Sequence, residues 1–399
     1  MEMEEKPNPN SHEGLGRIDT PKSWSDLPPD LLNSVFERLS FANFQRAKSV
    51  CTSWHSASRQ CVPKSIQIHW LVLFPEDDDS SSNNNHSCTF FDPEDKDKLY
   101  RTQDLDLEFA KSVCIATYRS WLLMQDPLYD LYIVNLFTHE RINLPPTESE
   151  PRTITEMKRI RALDAQFRVT SHNGKEHRGF SMRRSVFWVD EKTKDYVVFW
   201  GLRSLCVVYS KKGDTSWNRI PGTLRPCNMV YKDSKLYMIT SFYGSVIIFD
   251  FSGEIPQIMF NRRLALTTER YSIFRSSLVV TVTGDVLAVE KIWIRSSGTW
   301  SFRVVKVCSP GFEEEHEVIH SLGDESMLLD QGITVLADDN DGFIRNSIYF
   351  SDSSSGENTE KILLFNLETG KTEPVHTFHC SSSAQFSRAR WFLPSFTRT

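Results

Sequence analysis

A strand–turn–strand pattern recurs through most of the chain and limits its fold more than any other feature. Three stretches read as an apolar strand, an Asn or Asp, a turn and a second strand, and they begin at Ile133, Ile248 and Leu364. Two others, from Val207 and Ile292, share a Ser-containing glycine turn and a tryptophan that opens the return strand. Repetition of small antiparallel units over roughly 300 residues is typical of radial or solenoid architecture, and four-stranded units of about 40 to 50 residues indicate a β-propeller.

The turn spacing divides this region into candidate blades. They fall around 66–101, 112–145, 185–220, 228–260, 275–307 and 318–375. A last strand near Ala389 to Leu393 is expected to close the ring against the first blade. The tryptophans of these units are expected to pack between neighbouring blades. They are Trp121, Trp188, Trp200, Trp217, Trp293 and Trp300.

Residues 24–61 follow a different, helical periodicity. Pro28 and Pro29 stand at a helix start, and one helical face then carries Leu31, Leu32, Val35, Phe36 and Leu39. Two further helices are predicted, one around Phe44, Ala47 and Val50, the other around Cys51 and Trp54 with Thr52 or Ser53 as its N-cap. A unit of about 40 residues buries too little surface to be robust without a partner or an attached domain. Its apolar residues therefore form either a docking surface or the core of a helical cap on the following domain.

The same stretch resembles the F-box. The family pattern LPxDLLxxIxxRL, followed by RxRxVCxxWR, is matched at Leu27, Pro28, Asp30, Leu31, Leu32, Arg38, Leu39, Arg46, Val50, Cys51 and Trp54. The chain departs from the pattern at Val35-Phe36, Phe44, Lys48 and His55, and none of these departures removes the apolar seam. The resemblance implies that the seam docks onto the small Skp-type adaptor of a cullin-RING ubiquitin ligase. The implied adaptor-binding residues are Leu27, Pro28, Leu31, Leu32, Phe36, Val50 and Trp54.

Short motifs further along the chain resemble a plant domain of unknown function that follows an F-box. They are FFDPEDKDKLYR from Phe90, SWLLMQD from Ser120, INLPP ending at Pro146, DYVVFW from Asp195, NSIYFSD from Asn346 and WFLPSF from Trp391. The resemblance implies a small all-α F-box followed by a kelch-like β-propeller. With the three predicted helices and the six candidate blades, the expected fold is a small all-α F-box of three helices followed by a large all-β domain, a six-bladed kelch-like β-propeller. The expected boundaries are 1–22 for a disordered leader, 23–62 for the F-box and 63–397 for a propeller-like domain that recognises the substrate.

Composition argues against several classes of function. A net charge of −6 and a pI near 6.0 provide no domain-wide basic field, so no nucleic-acid partner is expected. No apolar run approaches the ~20 residues of a membrane span, so no membrane partner is expected. The eight cysteines are scattered without a CxxC pair, and the first residues are polar and acidic. These features predict a reducing location, the nucleus and/or the cytoplasm.

The sequence carries little sign of a catalytic motif. It contains no phosphate-binding GxxxxGK[ST] or GxGxxG loop after a strand and no GxSxG. One HExxH string runs from His316 to His320, but it follows a run of glutamates in a stretch expected to be extended, where neighbouring side chains diverge and do not share one helical face. No catalytic residue, cofactor site or metal site is therefore predicted. Side chains that different blades bring together would escape such a search. A propeller enzyme or small-ligand receptor with a non-functional F-box therefore stays open as the alternative.

One basic stretch stands out in this acidic chain. Between Arg152 and Arg184, nine Lys or Arg residues face three Asp or Glu residues, which leaves a local charge of 9 − 3 = +6. The candidate target-binding residues in it are Arg178, Arg183 and Arg184. They could steer an acidic or phosphorylated target, or the stretch could be a solvated excursion between blades, which is the more ordinary interpretation.

These observations converge on one predicted function. The chain is expected to be the substrate-recognition subunit of an SCF-type (Skp–cullin–F-box) E3 ubiquitin ligase, itself without catalytic activity. Its F-box would hold the adaptor, and its propeller would hold a target protein near the ubiquitin-loaded enzyme of the same assembly. The identity of the target is not readable from the sequence, because propeller specificity depends on loops from different blades.

Overall fold

The computed structural model describes two compact units, Met1–Ile66 with Arg398–Thr399 and Gln67–Thr397. The described residues are 23–39, 41–59, 70–74, 88–91, 99–101, 107–149, 155–160, 166–171, 176–178, 184–202, 206–223, 225–240, 244–264, 271–309, 311, 314–337, 343–353, 359–379 and 389–392. The leader expected at 1–22 lies outside them.

Three short helices form the described part of the first unit. A 3-10 turn at Trp24–Asp26 precedes α1 (Pro29–Phe36), α2 (Phe41–Lys48) and α3 (Thr52–Ser58). Pro29 occupies the first helical position, where the missing N–H costs no hydrogen bond. The predicted N-cap of α3 is wrong, because the extended residue before the helix is Cys51, which makes no side-chain capping bond.

The described part of the second unit is built of short, mainly antiparallel strands and includes one small α-helix, α4 (Leu107–Lys111). The first sheet has the order β28-β1-β2-β3, and the second has the order β4-β5-β6-β7. Their bounds are β1 Trp70–Leu73, β2 Thr89–Phe91, β3 Leu99–Arg101, β4 Val113–Tyr118, β5 Trp121–Gln125, β6 Leu131–Asn135, β7 Arg141–Asn143 and β28 Ala389–Phe392.

A three-stranded sheet, β10-β9-β8, follows in the chain, and two four-stranded sheets come after it. Their bounds are β8 Thr155–Ile160, β9 Gln166–Ser171, β10 Glu176–Arg178, β11 Ser185–Val189, β12 Tyr196–Leu202, β13 Cys206–Lys211, β14 Asn218–Ile220, β15 Pro226–Lys232, β16 Lys235–Thr240, β17 Ser245–Asp250 and β18 Gln257–Arg263.

The remaining strands join in one nine-stranded sheet of order β22-β21-β20-β19-β24-β23-β25-β26-β27. Their bounds are β19 Tyr271–Val280, β20 Val286–Ile294, β21 Thr299–Cys308, β22 Glu314–Ile319, β23 Glu325–Leu328, β24 Ile333–Leu336, β25 Ser347–Ser353, β26 Thr359–Asn366 and β27 Thr372–His379. The parallel pairing of β19 with β24 joins its halves β19–β22 and β23–β27, and a second parallel pairing, of β23 with β25, lies within the latter half.

Consecutive sheets pack face to face through apolar cores. Trp121 of β5 shares one core with Trp200 of β12 and Trp217, so the sheets β4–β7 and β11–β14 are direct neighbours. The three-stranded sheet β8–β10, which lies between these two sheets in sequence, is therefore not inserted between them in the stack. Further cores join β11–β14 to β15–β18, then β15–β18 to β19–β22, and the two halves of the nine-stranded sheet.

The last strand closes the stack onto the first, as the sequence predicted. β28 pairs antiparallel with β1, with Phe392 opposite Trp70 and Trp391 opposite Leu71. The carbonyl oxygen of Trp391 accepts hydrogen bonds from Thr117 Oγ1 at 2.5 Å and from Gln331 Nε2 at 2.6 Å. Strand β28 therefore connects the first sheet, strand β4 of the second sheet and the turn between β23 and β24, near the middle of the nine-stranded sheet.

Three hairpins of this unit use the same turn, with the sequence Asn/Asp-x-x-Thr-x-x. It begins at Asn135, Asp190 and Asn366. In each, the Oδ1 atom of the first residue accepts hydrogen bonds from the backbone N–H groups two and three residues later. The fifth residue has positive φ and is His139, Lys194 or Gly370. The side chain thus provides the turn with hydrogen bonds that the sheet cannot supply.

Gly332, in the turn between β23 and β24, lies close against Val230 and the backbone of Leu278. Its φ is +69°, and a β-carbon there would overlap Val230 of β15 and lie 2.9 Å from the carbonyl oxygen of Leu278. Its own carbonyl accepts a hydrogen bond from Val280 N at 2.9 Å. Only glycine permits both this backbone conformation and this close approach.

The predicted blade ranges correspond to successive packed units of the described chain, whereas the number of blades stays a prediction. The structure adds the parallel links in the nine-stranded sheet, which the turn spacing did not indicate. The expectation for the tryptophans holds at Trp121, Trp200 and Trp217, which are fully buried. It is wrong for Trp300, which is 45% exposed.

Candidate functional site

Phe36 is the centre of the core of the helical module. Its ring is fully buried and meets the rings of Phe44 and Trp54 edge to face, with centroids 5.5 Å away in each case. Leu32, one turn earlier on α1, is buried as well. Because positions i and i+4 share one helical face, these two residues turn the same side of α1 toward α2 and α3.

Trp54 links the third helix to the 3-10 turn that precedes the first. Its Nε1 atom donates a hydrogen bond to the carbonyl oxygen of Trp24 at 2.9 Å. The indole of Trp24 itself is 67% exposed. The module therefore fixes the backbone of Trp24 while leaving the large apolar side chain of that residue in water.

Several apolar side chains of the module remain exposed around this core. Leu31 is 53% exposed and Val50 is 57% exposed. Pro28 is also exposed, and Leu27 is half-buried. We call these four residues and Trp24 the module surface. Large apolar side chains gain free energy when a partner removes them from water, so the module surface is suited to docking.

Burial corrects part of the predicted adaptor-binding set. Leu32 and Phe36 are 1% and 0% exposed, so their side chains hold the module together and are not available to a partner. Trp54 is half-buried, between the core and the surface. Binding of an adaptor by Leu27, Pro28, Leu31 and Val50 stays a prediction.

The end of α2 adds positive charge to the module. Arg46 and Lys48 lie in its last turn, where cations interact favourably with the helix dipole. The Nζ atom of Lys48 lies 4.8 Å from the ring centroid of Phe44, and burial lowers the pKa of this amine.

Two of the three candidate arginines of the basic stretch lie among the described residues, one in a strand and one directly before a strand. Arg178 ends strand β10, where it lies opposite Arg168 of β9. Arg183 lies outside the described residues. Arg184 is half-buried directly before β11, and its carbonyl oxygen accepts a hydrogen bond from Gly201 N at 3.0 Å. The role of these arginines in target binding stays a prediction.

Within the described residues, ligand-type side chains form no group of three or more that could hold a metal ion, and no helix is both long and apolar enough to span a membrane. Two buried cysteines, Cys88 beside β2 and Cys114 of β4, are thiols outside any disulfide. Burial raises the pKa of Cys114 to about 12, although the charge of Arg390 opposes the rise. Burial, reinforced by Cys114, raises the pKa of Cys88 as well.

Comparison with known families gives both units a relationship. Residues 24–65 match the F-box domain, and residues 90–366 match the KIB1-4 beta-propeller. The chain is an F-box protein of the KIB1-4 β-propeller family. The plant F-box resemblance and the all-β fold after three helices are confirmed, while a kelch-like character of the propeller stays a prediction.

Relatives in Arabidopsis thaliana match nearly the whole length of this chain. F-box protein At1g69090 is 39% identical, with 95% of this chain and 94% of the relative covered. The protein At4g22170, also named as an F-box protein, is 57% identical, with 96% of this chain and 100% of the relative covered. Among solved structures, the computationally designed Ika8 protein aligns over 79% of this chain and 88% of its own, at 10% identity and a TM-score of 0.34.

Proposed function

We propose that this protein is the substrate-recognition subunit of an SCF-type E3 ubiquitin ligase. The F-box binds the Skp-type adaptor, and the propeller binds a target protein for ubiquitination. The observation that supports the proposal best is the helical module, which combines a buried aromatic core with the exposed apolar module surface and precedes residues that match a β-propeller family. The chain catalyses nothing itself and acts by raising the local concentration of the target.

The module surface is the proposed adaptor-binding site. We expect Leu27→Ala with Pro28→Ala, and separately Leu31→Ala with Val50→Ala, to weaken adaptor binding by several hundredfold, since truncation of an interface anchor costs about 2 kcal/mol. Calorimetry with purified Skp-type adaptor measures the affinity. Leu128→Ala is the matched control, because Leu128 is 54% exposed but lies outside the module. Unchanged affinity in both double variants would contradict the docking assignment.

A second experiment separates the proposal from the alternative of a propeller enzyme or receptor. Loss of adaptor binding when residues 24–62 are deleted supports the ligase subunit. A stoichiometric small ligand or metal ion that copurifies with the full-length protein supports the alternative. We place the assembly in the nucleus and/or the cytoplasm, where the thiols of Cys88 and Cys114 would stay reduced.

The basic stretch is a candidate for target capture within this proposal. If Arg178, Arg183 and Arg184 bind an acidic or phosphorylated target, replacing all three by Ser removes charge-assisted hydrogen bonds. Target binding then falls and depends less on salt, while adaptor binding does not change. A target is first identified by affinity purification, and its binding is then measured at low and physiological salt. The result decides between target capture and a solvated stretch between blades that has no binding role. Identical curves for the wild type and the triple variant would exclude target capture by these arginines.

A further inference from the structure

The strands β19, β20 and β21 are longer than their neighbours and carry an exposed aromatic cluster. They contain ten, nine and ten residues, whereas β16 and β17 of the preceding sheet contain six each. The cores shared with neighbouring sheets use β19 only at 278–280 and β20 mainly at 286–289. The other ends of these strands therefore extend beyond the packed stack.

Three aromatic rings meet on this extension. Phe274 is 71% exposed, and its ring centroid lies 5.1 Å from that of Trp300, with the planes at 71°. Trp293, opposite Trp300 on the neighbouring strand, lies 5.0 Å from it at 66°. We call Phe274, Trp293 and Trp300 the aromatic ledge. Edge-to-face packing holds the rings in place before any partner arrives, which lowers the entropy cost of binding.

Lys291 connects the aromatic ledge to the buried interior. Its Nζ atom lies 5.3 Å from the ring centroids of both Trp300 and Phe350, and 3.3 Å from Asp352 Oδ2. The ring of Phe350 packs in turn on Phe302 at 5.0 Å. The inner side of the ledge is thus supported by packing, and Asp352 balances the charge of Lys291.

Two other cations at the ledge are not balanced by a carboxylate among the described residues. Arg275 is exposed and lies opposite Lys291 in the β19–β20 pairing. Arg295 is exposed, and its Nη2 and Nε atoms donate to Ser272 Oγ at 3.2 and 3.4 Å. Ser272 lies opposite Trp293, so the guanidinium of Arg295 is held beside the ledge. The apolar rings of the ledge are therefore bordered by two arginines whose positive charge no described carboxylate balances, although the chain as a whole has a net charge of −6.

We infer that the aromatic ledge is a docking surface for an acidic segment of the target protein. The segment places an apolar side chain against Phe274 and Trp300 and flanking carboxylates near Arg275 and Arg295. Solvent-exposed Trp and Arg side chains are the residue types that dominate protein–protein binding energy, and charge complementarity selects the partner. This inference rests on the proposed function, because it names the target chemistry that the propeller recognises.

The test uses synthetic peptides of ten residues with the full-length protein. Each peptide carries a central Phe, Leu, Trp or Pro flanked by Glu and Asp, and a matched set carries Lys flanks or a central Ser. Fluorescence anisotropy measures binding. We expect the acidic peptides with an apolar centre to bind, and the Lys-flanked and Ser-centred peptides not to bind.

Variants locate the binding. Phe274→Ala with Trp300→Ala should weaken peptide binding by about 30-fold or more, the size of one hot-spot loss. Arg275→Ser with Arg295→Ser should weaken it and reduce its salt dependence. Ile258→Ala is the control, since Ile258 is 55% exposed on β18 of the neighbouring sheet. All three should melt at the wild-type temperature.

Three results would overturn the inference: no preference for acidic peptides, equal binding by the ledge variant, or a dimer in sedimentation that the ledge variant abolishes, which would make a second copy the occupant. Adaptor binding is measured on the same samples. Wild-type protein that binds the adaptor but no acidic peptide refutes this inference alone, whereas wild-type protein that fails to bind the adaptor refutes the proposed function.

Discussion

Removal of the closing strand β28 should be the most damaging change to the large domain that leaves the F-box untouched. Truncation after residue 383 deletes the four residue pairs that β28 makes with β1. It also deletes two buried aromatic side chains, Trp391 at 3% and Phe392 at 0% exposure. What remains is a sheet with an open edge along β1 and an apolar seam without a cover.

The size of the effect follows from these contacts. Phe392 packs 5.4 Å from Phe90 and 6.2 Å from Phe137, while Trp391 packs 6.1 Å from both Phe343 and Tyr349. Loss of a buried Phe or Trp side chain costs about 3 to 5 kcal/mol, so the two together cost about 6 to 10 kcal/mol. A folded domain is stable by only about 5 to 15 kcal/mol in total. The lost hydrogen bonds to the Trp391 carbonyl add to the deficit.

Thermal unfolding by circular dichroism, with light scattering on the same samples, measures the outcome. A chain ending at residue 392, which keeps β28, is the matched control. Phe392→Leu provides an intermediate step, because it conserves most of the volume and should cost less than about 1.5 kcal/mol. We expect the 1–383 chain to aggregate or to melt far below the control. Equal melting temperatures would refute the closed arrangement as the source of stability.

Two further predictions concern the same domain. Gly332→Ala should lower the free energy of unfolding by about 3 kcal/mol, because the alanine backbone is strained there and the new β-carbon overlaps Val230. Gly370 also has positive φ, but nothing lies within 4 Å of the position that an added β-carbon would take, so Gly370→Ala should cost only about 1 kcal/mol. Similar losses for both variants in urea unfolding would exclude steric overlap as the cause. Burial raises the pKa of the Cys88 and Cys114 thiols, so these thiols stay protonated in the folded state. In the unfolded chain they ionise above about pH 8.5. The free energy of unfolding should therefore fall as the pH rises, by up to about 1.4 kcal/mol per pH unit for each thiol. Urea unfolding between about pH 7.5 and 10 should show a flatter slope after Cys88→Ala with Cys114→Ala, and parallel slopes would disprove the assignment.

The repeated hairpins were predictable because local chemistry determines them. An Asn before a turn supplies its own hydrogen bonds, so the stretches around Asn135 and Asn366 already showed their turns in the sequence. The turn at Asp190 has the same pattern and was missed, since its flanking strands differ in composition. A search for Asn/Asp-x-x-Thr would have found it. The closing strand near Ala389 was predicted on a different ground, because a propeller ring closes when a last strand joins the first blade.

Features that depend on distant packing were not predictable. Helical periodicity identified the apolar residues of the module but could not separate the core position Phe36 from the exposed position Leu31, because both fall within one wide apolar arc. The parallel pairing of β23 with β25 leaves no signal in either strand. The aromatic ledge was missed because Trp300 opens a return strand like Trp217, and only strand length shows that one is exposed and the other buried.

The pairing of β1 with β28 has a consequence for synthesis of the chain. Leu71 and Trp391 are separated by nearly the whole domain in sequence, and contacts of such long range form late and slowly. The helical module is a separate unit near the N-terminus and does not need this pairing. A premature stop codon between the end of the F-box and β28 would therefore yield a product that still carries a complete F-box beside an unfinished propeller. If the proposed function holds, such a fragment would occupy the adaptor without delivering a target, and it would act as a dominant inhibitor in a cell that also makes the intact protein.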